Sequence, residues 1–198
     1  MKKIIGRSLS IMVFCLILLF ITGSMALAED KIYKVRYFNG GTLSISESEG
    51  DSEKKVGSSI AFSYERALEI NESFELGYGA SFQFSGDFEG DILSKSHCLP
   101  LYILLNYYPL SIEGLPYLTG HLGYNFMFYD VDDNKGTLKG LYFAAGAGIR
   151  IPKYPSIRAE LLYIVNNGSG DVEHWYSSSL EKVDASLARI SLSVGLGY

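Results

Sequence analysis

Long hydrophobic runs are scarce in this sequence, and after residue 28 none reaches 18 consecutive apolar residues. A membrane-spanning helix needs about 20 such residues, so the chain beyond residue 28 contains no candidate for one. Cysteine is equally rare. Cys15 lies in the N-terminal apolar segment and Cys98 is the only other cysteine, which excludes an internal disulfide downstream of that segment. Basic residues number 17 against 22 acidic ones, so nucleic acid is not an expected partner.

The first 28 residues have the three parts of a secretory signal peptide. They begin with a basic segment over 2–7, continue with an apolar run over 11–21, and end on Ala26-Leu27-Ala28. The apolar run is too short for a comfortable membrane span, and the Ala-x-Ala ending favours cleavage. We therefore predict a cleaved signal peptide over 1–28 and a single exported domain over 29–198.

Apolar and polar residues alternate through most of the chain after residue 28. The clearest case is the last segment, where every second residue from Ala188 to Tyr198 is apolar and the residues between are mostly small or polar, with Arg189 among them. A period of two is typical of a β-strand with two different faces. The pattern predicts eight strands, over 31–47, 56–67, 74–86, 98–108, 117–129, 139–151, 157–166 and 184–198.

The connections between these strands alternate between short and long. Short turns are predicted at 68–73, 109–116 and 152–156, and longer polar loops at 48–55, 87–97, 130–138 and 167–183. Barrels of the outer membrane have short periplasmic turns and longer external loops. We therefore predict an all-β fold, a single eight-stranded antiparallel transmembrane up-and-down β-barrel with both termini periplasmic.

The first predicted strand has two interpretations. Asn39-Gly40 could form a two-residue hairpin turn. Alternatively, 31–47 is one strand with a glycine kink, and this is favoured because Tyr33 and Tyr37 have the same parity as Leu43 and Ile45. The second interpretation predicts one outer face along the whole strand.

Several segments resemble the eight-stranded outer-membrane β-barrel superfamily, the OmpA-like and OmpX-like porin-family proteins. The segments are Pro100-Leu101-Tyr102 to Tyr107-Tyr108-Pro109, 116–124, 146–150 and 192–198. The resemblance implies the outer membrane of a Gram-negative-type bacterium, contact with outer-membrane lipid and lipopolysaccharide, and insertion by the barrel-assembly machinery with Tyr198 as the C-terminal aromatic signal. It implies no cofactor and no single activity, because one fold serves many functions.

A soluble lipid-carrying barrel is the main alternative fold, since its strands also alternate. Its apolar face would point inward and its other face outward. Here the face opposite the apolar one carries eight charges, which we expect to line and plug the lumen as pairs, because an interior of eight strands is just wide enough to be filled by side chains. These residues are Lys34, Arg36, Glu65, Glu75, Arg150, Arg158, Glu160 and Arg189.

Candidate catalytic residues are few. The chain has three histidines, His97, His121 and His174, and none lies in a recognisable nucleophile motif. Asp171, His174 and Ser177 could form a palmitoyltransferase-like set, but polar loops routinely contain such residues. We predict no catalytic, metal or cofactor site and a structural or surface-interaction role for loops whose extracellular ligand is unknown. A narrow porin-like channel is the first alternative function and a lipid A-modifying enzyme the second.

Overall fold

The computed structural model describes residues 29–47, 50–87, 95–109, 116–131, 134–151, 156–174 and 180–198. The predicted signal peptide lies outside these ranges. No helix within them is long and apolar enough to cross a membrane. The strands are β1 Glu29–Glu47, β2 Gly50–Val56, β3 Ser59–Asn71, β4 Phe74–Gln83, β5 Lys95–Tyr107, β6 Pro116–Val131, β7 Asn134–Ile151, β8 Ser156–His174 and β9 Leu180–Gly197.

The strands form one closed antiparallel sheet. Neighbours from β3 to β9 follow chain order, and β1 pairs with β9 along one edge. The other edge of β1 pairs with β3 through residues 29–38 and with β2 through residues 41–47. Because β2 and β3 share one position around the barrel, the ring has eight strands, and the predicted fold class is confirmed.

The two ends of the barrel differ in how its strands are connected. At one end, called here the terminal end, lie Asp30, Tyr198 and the tight turn between β3 and β4. At the opposite end, the far end, β1 is followed by β2 and β6 by β7, with only two undescribed residues between the strands of each pair. The strands β1, β6, β7, β8 and β9 are 16 to 19 residues long, whereas about 9–11 suffice to cross a bilayer.

The prediction of long loops is therefore wrong, because three of the four predicted loops are largely strand. Residues 50–55 belong to β2, 130–131 to β6 and 134–138 to β7, while 167–174 belong to β8 and 180–183 to β9. In the predicted loop over 87–97, the last three residues, 95–97, belong to β5, and residues 88–94 lie outside the described residues. The strands continue because cross-strand pairing continues, from Asn166↔Leu187 to Glu173↔Leu180 for example.

Near the terminal end, the outer face of the wall is apolar and the inner face polar. The large apolar side chains on the outer face, called here the apolar band, are roughly half exposed, as suits a surface facing lipid. Aromatic pairs such as Tyr33 with Tyr64 and Phe74 with Tyr107 lie within it. Members of the band include Tyr33, Val35, Tyr37, Phe62, Leu101, Ile103, Leu122, Tyr124, Leu141, Phe143, Leu161, Tyr163, Ile190, Leu192 and Val194.

At the far end the two faces exchange character. The outer face carries Ser169, Lys182 and Asp184, which are exposed, while the inner face is a buried apolar cluster, called here the far-end core. The cluster consists of Leu43, Ile45, Val56, Cys98, Met127, Tyr129, Val131, Leu138, Val172, Val183, Ala185 and Leu187.

A β-bulge in β1 decides between the two interpretations of the first strand. Residues 29–47 form a single strand, so the hairpin is excluded. The register against β9 shifts between Phe38 and Gly41, and Gly40 has φ of 73°. Because of the extra residue, odd-numbered positions that point outward before the bulge point inward after it. Leu43 is accordingly fully buried in the far-end core. The prediction of one outer face along the strand is therefore wrong.

Candidate functional site

The lumen contains all eight charged residues that the sequence assigned to it. Seven of them are buried or nearly so, and Arg150 is partly exposed near the terminal end. They form two ion-pair clusters and one separate cation. The first of the two, called here the middle cluster, consists of Lys34, Arg36, Glu65 and Glu160.

The middle cluster joins residues from three strands across the lumen. Lys34 on β1 lies 2.5 Å from carboxylate oxygens of both Glu65 on β3 and Glu160 on β8. Arg36 Nη2 donates to Glu65 Oε1 at 2.8 Å. All four side chains, the two cations and the two carboxylates, are at most 2% exposed. The cluster is electrically balanced, as a buried set of charges must be.

Two tyrosines complete the hydrogen bonding of the buried carboxylates. The Tyr102 hydroxyl donates to Glu65 at 2.8 Å, and the Tyr117 hydroxyl donates to Glu160 at 2.7 Å. An ionised carboxylate accepts several hydrogen bonds, and supplying them reduces the cost of burial. Sequence reasoning missed both tyrosines, although Tyr102 and Tyr117 have the inward parity of their strands.

The second cluster lies toward the terminal end and is centred on Glu75. Arg158 Nη1 and Arg150 Nη1 donate to its two oxygens at 2.7 and 2.6 Å. Both arginines also donate to Asp30 Oδ2, at 3.2 and 3.1 Å. Asp30 was missed, but it has the same parity as Lys34 and could have been found by extending the first strand toward the N-terminus. The side chains of Arg150 and Asp30 are 26% and 36% exposed, so this cluster is the one that reaches solvent.

Arg189 is set apart from both clusters. Its guanidinium donates to Gln83 Oε1 at 2.5 Å and to Ser59 Oγ at 3.1 Å, and it lies 3.8 Å from the centre of the Phe38 ring. No carboxylate lies within 4 Å of it among the described residues. Its charge is held by neutral oxygens and an aromatic face at the level where the polar lumen gives way to the far-end core.

Small inward residues make room for the large lumenal side chains. A Cβ on Gly148 would lie 2.5 Å from Cζ of Tyr117, and one on Gly195 would lie 2.6 Å from Cγ of Lys34. Distances this short are below van der Waals contact, so Tyr117 and Lys34 occupy the space over these glycines. Each glycine is the cross-strand neighbour of the side chain that lies over it, Gly148 of Tyr117 and Gly195 of Lys34.

The other residues considered for chemistry do not come together. His121 stacks on Tyr102 inside the lumen with ring centres 4.8 Å apart. Asp171 is exposed near the far end of β8, the side chain of His174 is not described, and Ser177 lies outside the described residues. Within the described ranges no group of three or more His, Cys, Asp or Glu could hold a metal ion. His97 lines a groove on the outer surface.

No protein-family model matches this sequence, and no curated protein matches it. Solved structures do. The crystal structure of outer membrane protein OprG from Pseudomonas aeruginosa covers 87% of this chain and 96% of its own, with a TM-score of 0.57 at 14% identity. The solid-state NMR structure of outer membrane protein AlkL in DMPC lipid bilayers covers 87% and 91%, with a TM-score of 0.54 at 15% identity.

The crystal structure of Neisserial surface protein A covers 86% of this chain and 99% of its own, with a TM-score of 0.51 at 12% identity. At these identities the likeness concerns the fold. The chain has the fold of the eight-stranded outer-membrane β-barrels, in agreement with the resemblance found in its sequence.

Proposed function

We propose that this protein is a closed outer-membrane barrel with a structural or surface-interaction role, and that the charged pairs of the lumen form its plug. The observation that carries the proposal is the middle cluster, in which Lys34 bridges carboxylates on β3 and β8. Ion pairs that join different parts of the wall cross-link it, and within the middle cluster every charge is neutralised by a neighbouring one. No catalytic activity is part of the proposal.

The partner-facing part of the molecule is the far end. Its paired strands run beyond the apolar band and present a polar outer surface, with Ser169, Lys182 and Asp184 exposed. A rigid wall with polar side chains suits contact with lipopolysaccharide or with an extracellular ligand better than a mobile loop does, because less conformational entropy is lost on binding.

Single-channel conductance tests the plug. We expect the wild-type protein in planar bilayers to show no steady channel. The variant K34A/R36A/E65A/E160A removes two cations and two carboxylates, so it empties the lumen without changing net charge, and we expect it to conduct. The matched control K139A/K182A/D51A/D184A makes the same change of charge on the outer face and should remain silent.

Two outcomes would contradict this proposal. Steady conductance of the wild-type protein would mean that the lumen is open. A folded quadruple variant that stays silent would assign closure to the far-end core instead of the charged pairs. Migration on unheated gels reports folding for every variant.

Location and orientation are tested on cells. The outer-membrane fold and the signal peptide predicted from the sequence support an outer-membrane location with both termini periplasmic, and Tyr198 is the proposed signal for the barrel-assembly machinery. We expect the protein in the outer-membrane fraction, with heat-modifiable migration. A peptide tag at Gly50 should be accessible on intact cells, while a tag between Glu72 and Ser73 should not. Recovery as a soluble periplasmic protein, or the reverse accessibility, would refute this placement.

A narrow polar channel is the second candidate, and one observation favours it. Both ring nitrogens of His121 and two nitrogens of Arg36 are buried without a hydrogen-bond partner. Buried polar groups of this kind usually bind ordered water. A continuous file of water would conduct, and the conductance measurement on the wild-type protein decides between the two candidates.

A further inference from the structure

Arg189 is the one charge of the two clusters and their surroundings that no other described charge balances. The middle cluster pairs two cations with two carboxylates. The second cluster pairs Arg150 and Arg158 with Glu75 and Asp30. Arg189 is 1% exposed, and no carboxylate in the described part of the chain lies within 4 Å of it. The clusters are therefore neutral, and one buried positive charge remains at Arg189.

The charge of Arg189 cannot be removed by the loss of a proton, because a guanidinium stays protonated in proteins. Its transfer from water into a protein interior is costly unless an opposite charge lies close to it. The face of the Phe38 ring lies 3.8 Å from Cζ of Arg189, and an aromatic face compensates only part of this cost. A cation buried in this way favours an anion as an additional partner.

The hydrogen bonding of the guanidinium is incomplete as well. Nη1 of Arg189 donates to Ser59 Oγ at 3.1 Å and to the Phe84 carbonyl oxygen at 3.4 Å. Nη2 donates to Gln83 Oε1, whereas Nε is buried without an acceptor. Nε and Nη2 donate from the same edge of the rigid planar group. An acceptor for Nε therefore belongs on the Gln83 side of the guanidinium.

The orientation of the Gln83 amide follows from its two donors. Arg189 can only donate, and Asn166 Nδ2 also donates to Gln83 Oε1, at 3.0 Å. The amide oxygen is therefore the atom that faces both residues. Nε2 of Gln83 is then the other branch of the amide, and it is buried without an acceptor. Two unpartnered donors, Arg189 Nε and Gln83 Nε2, thus flank one hydrogen bond.

The surroundings of Gln83 supply no counterion. Its cross-strand neighbours are Ala61 and Cys98, which are small and fully buried. Cys98 belongs to the far-end core, whose members are uncharged. The carboxylates of the middle cluster are already paired with Lys34 and Arg36. A counterion for Arg189 would therefore come from solution.

We propose that Arg189 Nε and Gln83 Nε2 bind one monovalent anion of halide size, such as chloride, at the border between the polar lumen and the far-end core. A water molecule would accept both hydrogen bonds but would leave the charge unbalanced. A divalent anion would replace one unbalanced charge by another of opposite sign. The proposal goes beyond the proposed function, because both residues lie outside the middle cluster.

Urea titration of the full chain refolded into vesicles tests the proposal. Ionic strength is kept constant while sodium gluconate, whose anion is far larger than a halide, is replaced by sodium chloride. A ligand that binds only the folded state stabilises it in proportion to the logarithm of its concentration above Kd. We expect the equilibrium constant of unfolding to fall about tenfold for each tenfold rise in chloride above its Kd.

Three variants assign this dependence to the site. Arg189→Gln removes the charge, so its unfolding should not depend on chloride. Gln83→Glu places a carboxylate of the same size beside Arg189, so the chain supplies its own counterion. This variant should lose the dependence and should be more stable than the wild type in gluconate. Lys139→Gln removes an exposed lysine from the outer face and should keep the full dependence.

Bromide locates the ion, because it is a halide that scatters X-rays anomalously. Crystals of the wild-type protein grown in sodium bromide should show an anomalous peak within hydrogen-bonding reach of Arg189 Nε and Gln83 Nε2. Crystals of Gln83→Glu should show no peak there.

Equal wild-type stability in gluconate and chloride would overturn the proposal, and so would equal chloride dependence of the wild type and Arg189→Gln. A bromide peak found only elsewhere would overturn it as well. The titration and the crystal of the wild-type protein decide the matter even if a variant fails to fold. None of these measurements depends on whether the lumen conducts, so their failure is distinguishable from failure of the proposed function.

Discussion

The two sections of the barrel wall bury opposite kinds of side chain, polar ones in the section nearer the termini and apolar ones in the far-end section. In the section nearer the termini, Leu161 on β8 points outward and Glu160 is buried in the lumen. In the far-end section, Ser169 of the same strand points outward and Val172 is buried inside. Odd-numbered residues point outward in both sections of the strand, and only the polarity of the two faces changes.

The difference follows from what surrounds each section. A wall in lipid must be apolar outside, which leaves the polar residues to fill the lumen, where they are stable only as paired and hydrogen-bonded groups. A wall in water must be polar outside. Its interior can then be filled by apolar side chains, which leave no buried charge without a partner. On strands that continue into the far-end section, such as β8, the faces exchange at the border of the apolar band.

The largest expected effect concerns the far-end core. Leu138 is fully buried in it, so Leu138→Ala should lower the free energy of unfolding by about 2–5 kcal/mol, the usual cost of a core cavity. Thr137→Ala, on the exposed outer face of the same strand, should change it little. Urea titrations of protein refolded into vesicles give both values. Equal effects would mean that the far end is not a packed core.

A second prediction tests the exchange of faces along one strand. Leu161 is 58% exposed at the centre of the apolar band of β8, and an arginine near the bilayer midplane of such a barrel costs roughly 2–4 kcal/mol. We expect Leu161→Arg to destabilise the refolded protein by this amount. Ser169→Arg, on the same face nearer the far end, should change the free energy of unfolding little. A large loss for Ser169→Arg would place that section in the membrane.

The exchange of faces also explains how far the sequence could be interpreted. The eight strands of the ring were predictable because their lipid-facing positions are apolar at every second residue. The strands were ended too early because the outer positions turn polar or charged at residues such as Ser169, Asp171 and Lys182. A charged outer position indicates water as well as it indicates a loop, and the inner apolar positions Val172 and Val183 were the available sign that pairing continues.

The lumenal charges were predictable for the same reason, and their partners were not. Parity assigns Lys34 and Glu160 to the inner face but cannot say which strands lie opposite each other across the lumen. That depends on strand tilt and on the shift in register around the ring, which small changes such as the bulge in β1 alter. Tyr102 and Tyr117 were missed because an inward tyrosine has no signal that distinguishes a carboxylate ligand from a packing residue.

The smallest expected effect concerns that bulge, which allows β1 to take part in both sections. Tyr33 and Tyr37 need an outward position in the lipid section, and Leu43 and Ile45 need an inward one in the far-end section, although all four share parity. The extra residue at the bulge reconciles the two requirements, and Gly40 supplies the positive φ of 73° that it needs.

A β-branched residue at position 40 should therefore destabilise the protein, because left-handed backbone costs a residue with Cβ about 1–2 kcal/mol, and the Val56 carbonyl oxygen would lie 3.1 Å from that Cβ. We expect Gly40→Val to lower the free energy of unfolding by at least this amount. Gly40→Asn should cost less, because asparagine tolerates this conformation. Urea titration of the two variants gives the ranking. If valine were tolerated as well as asparagine, the left-handed conformation of Gly40 would not be what the bulge requires, and the two sections of β1 would have to be joined by another distortion of the strand.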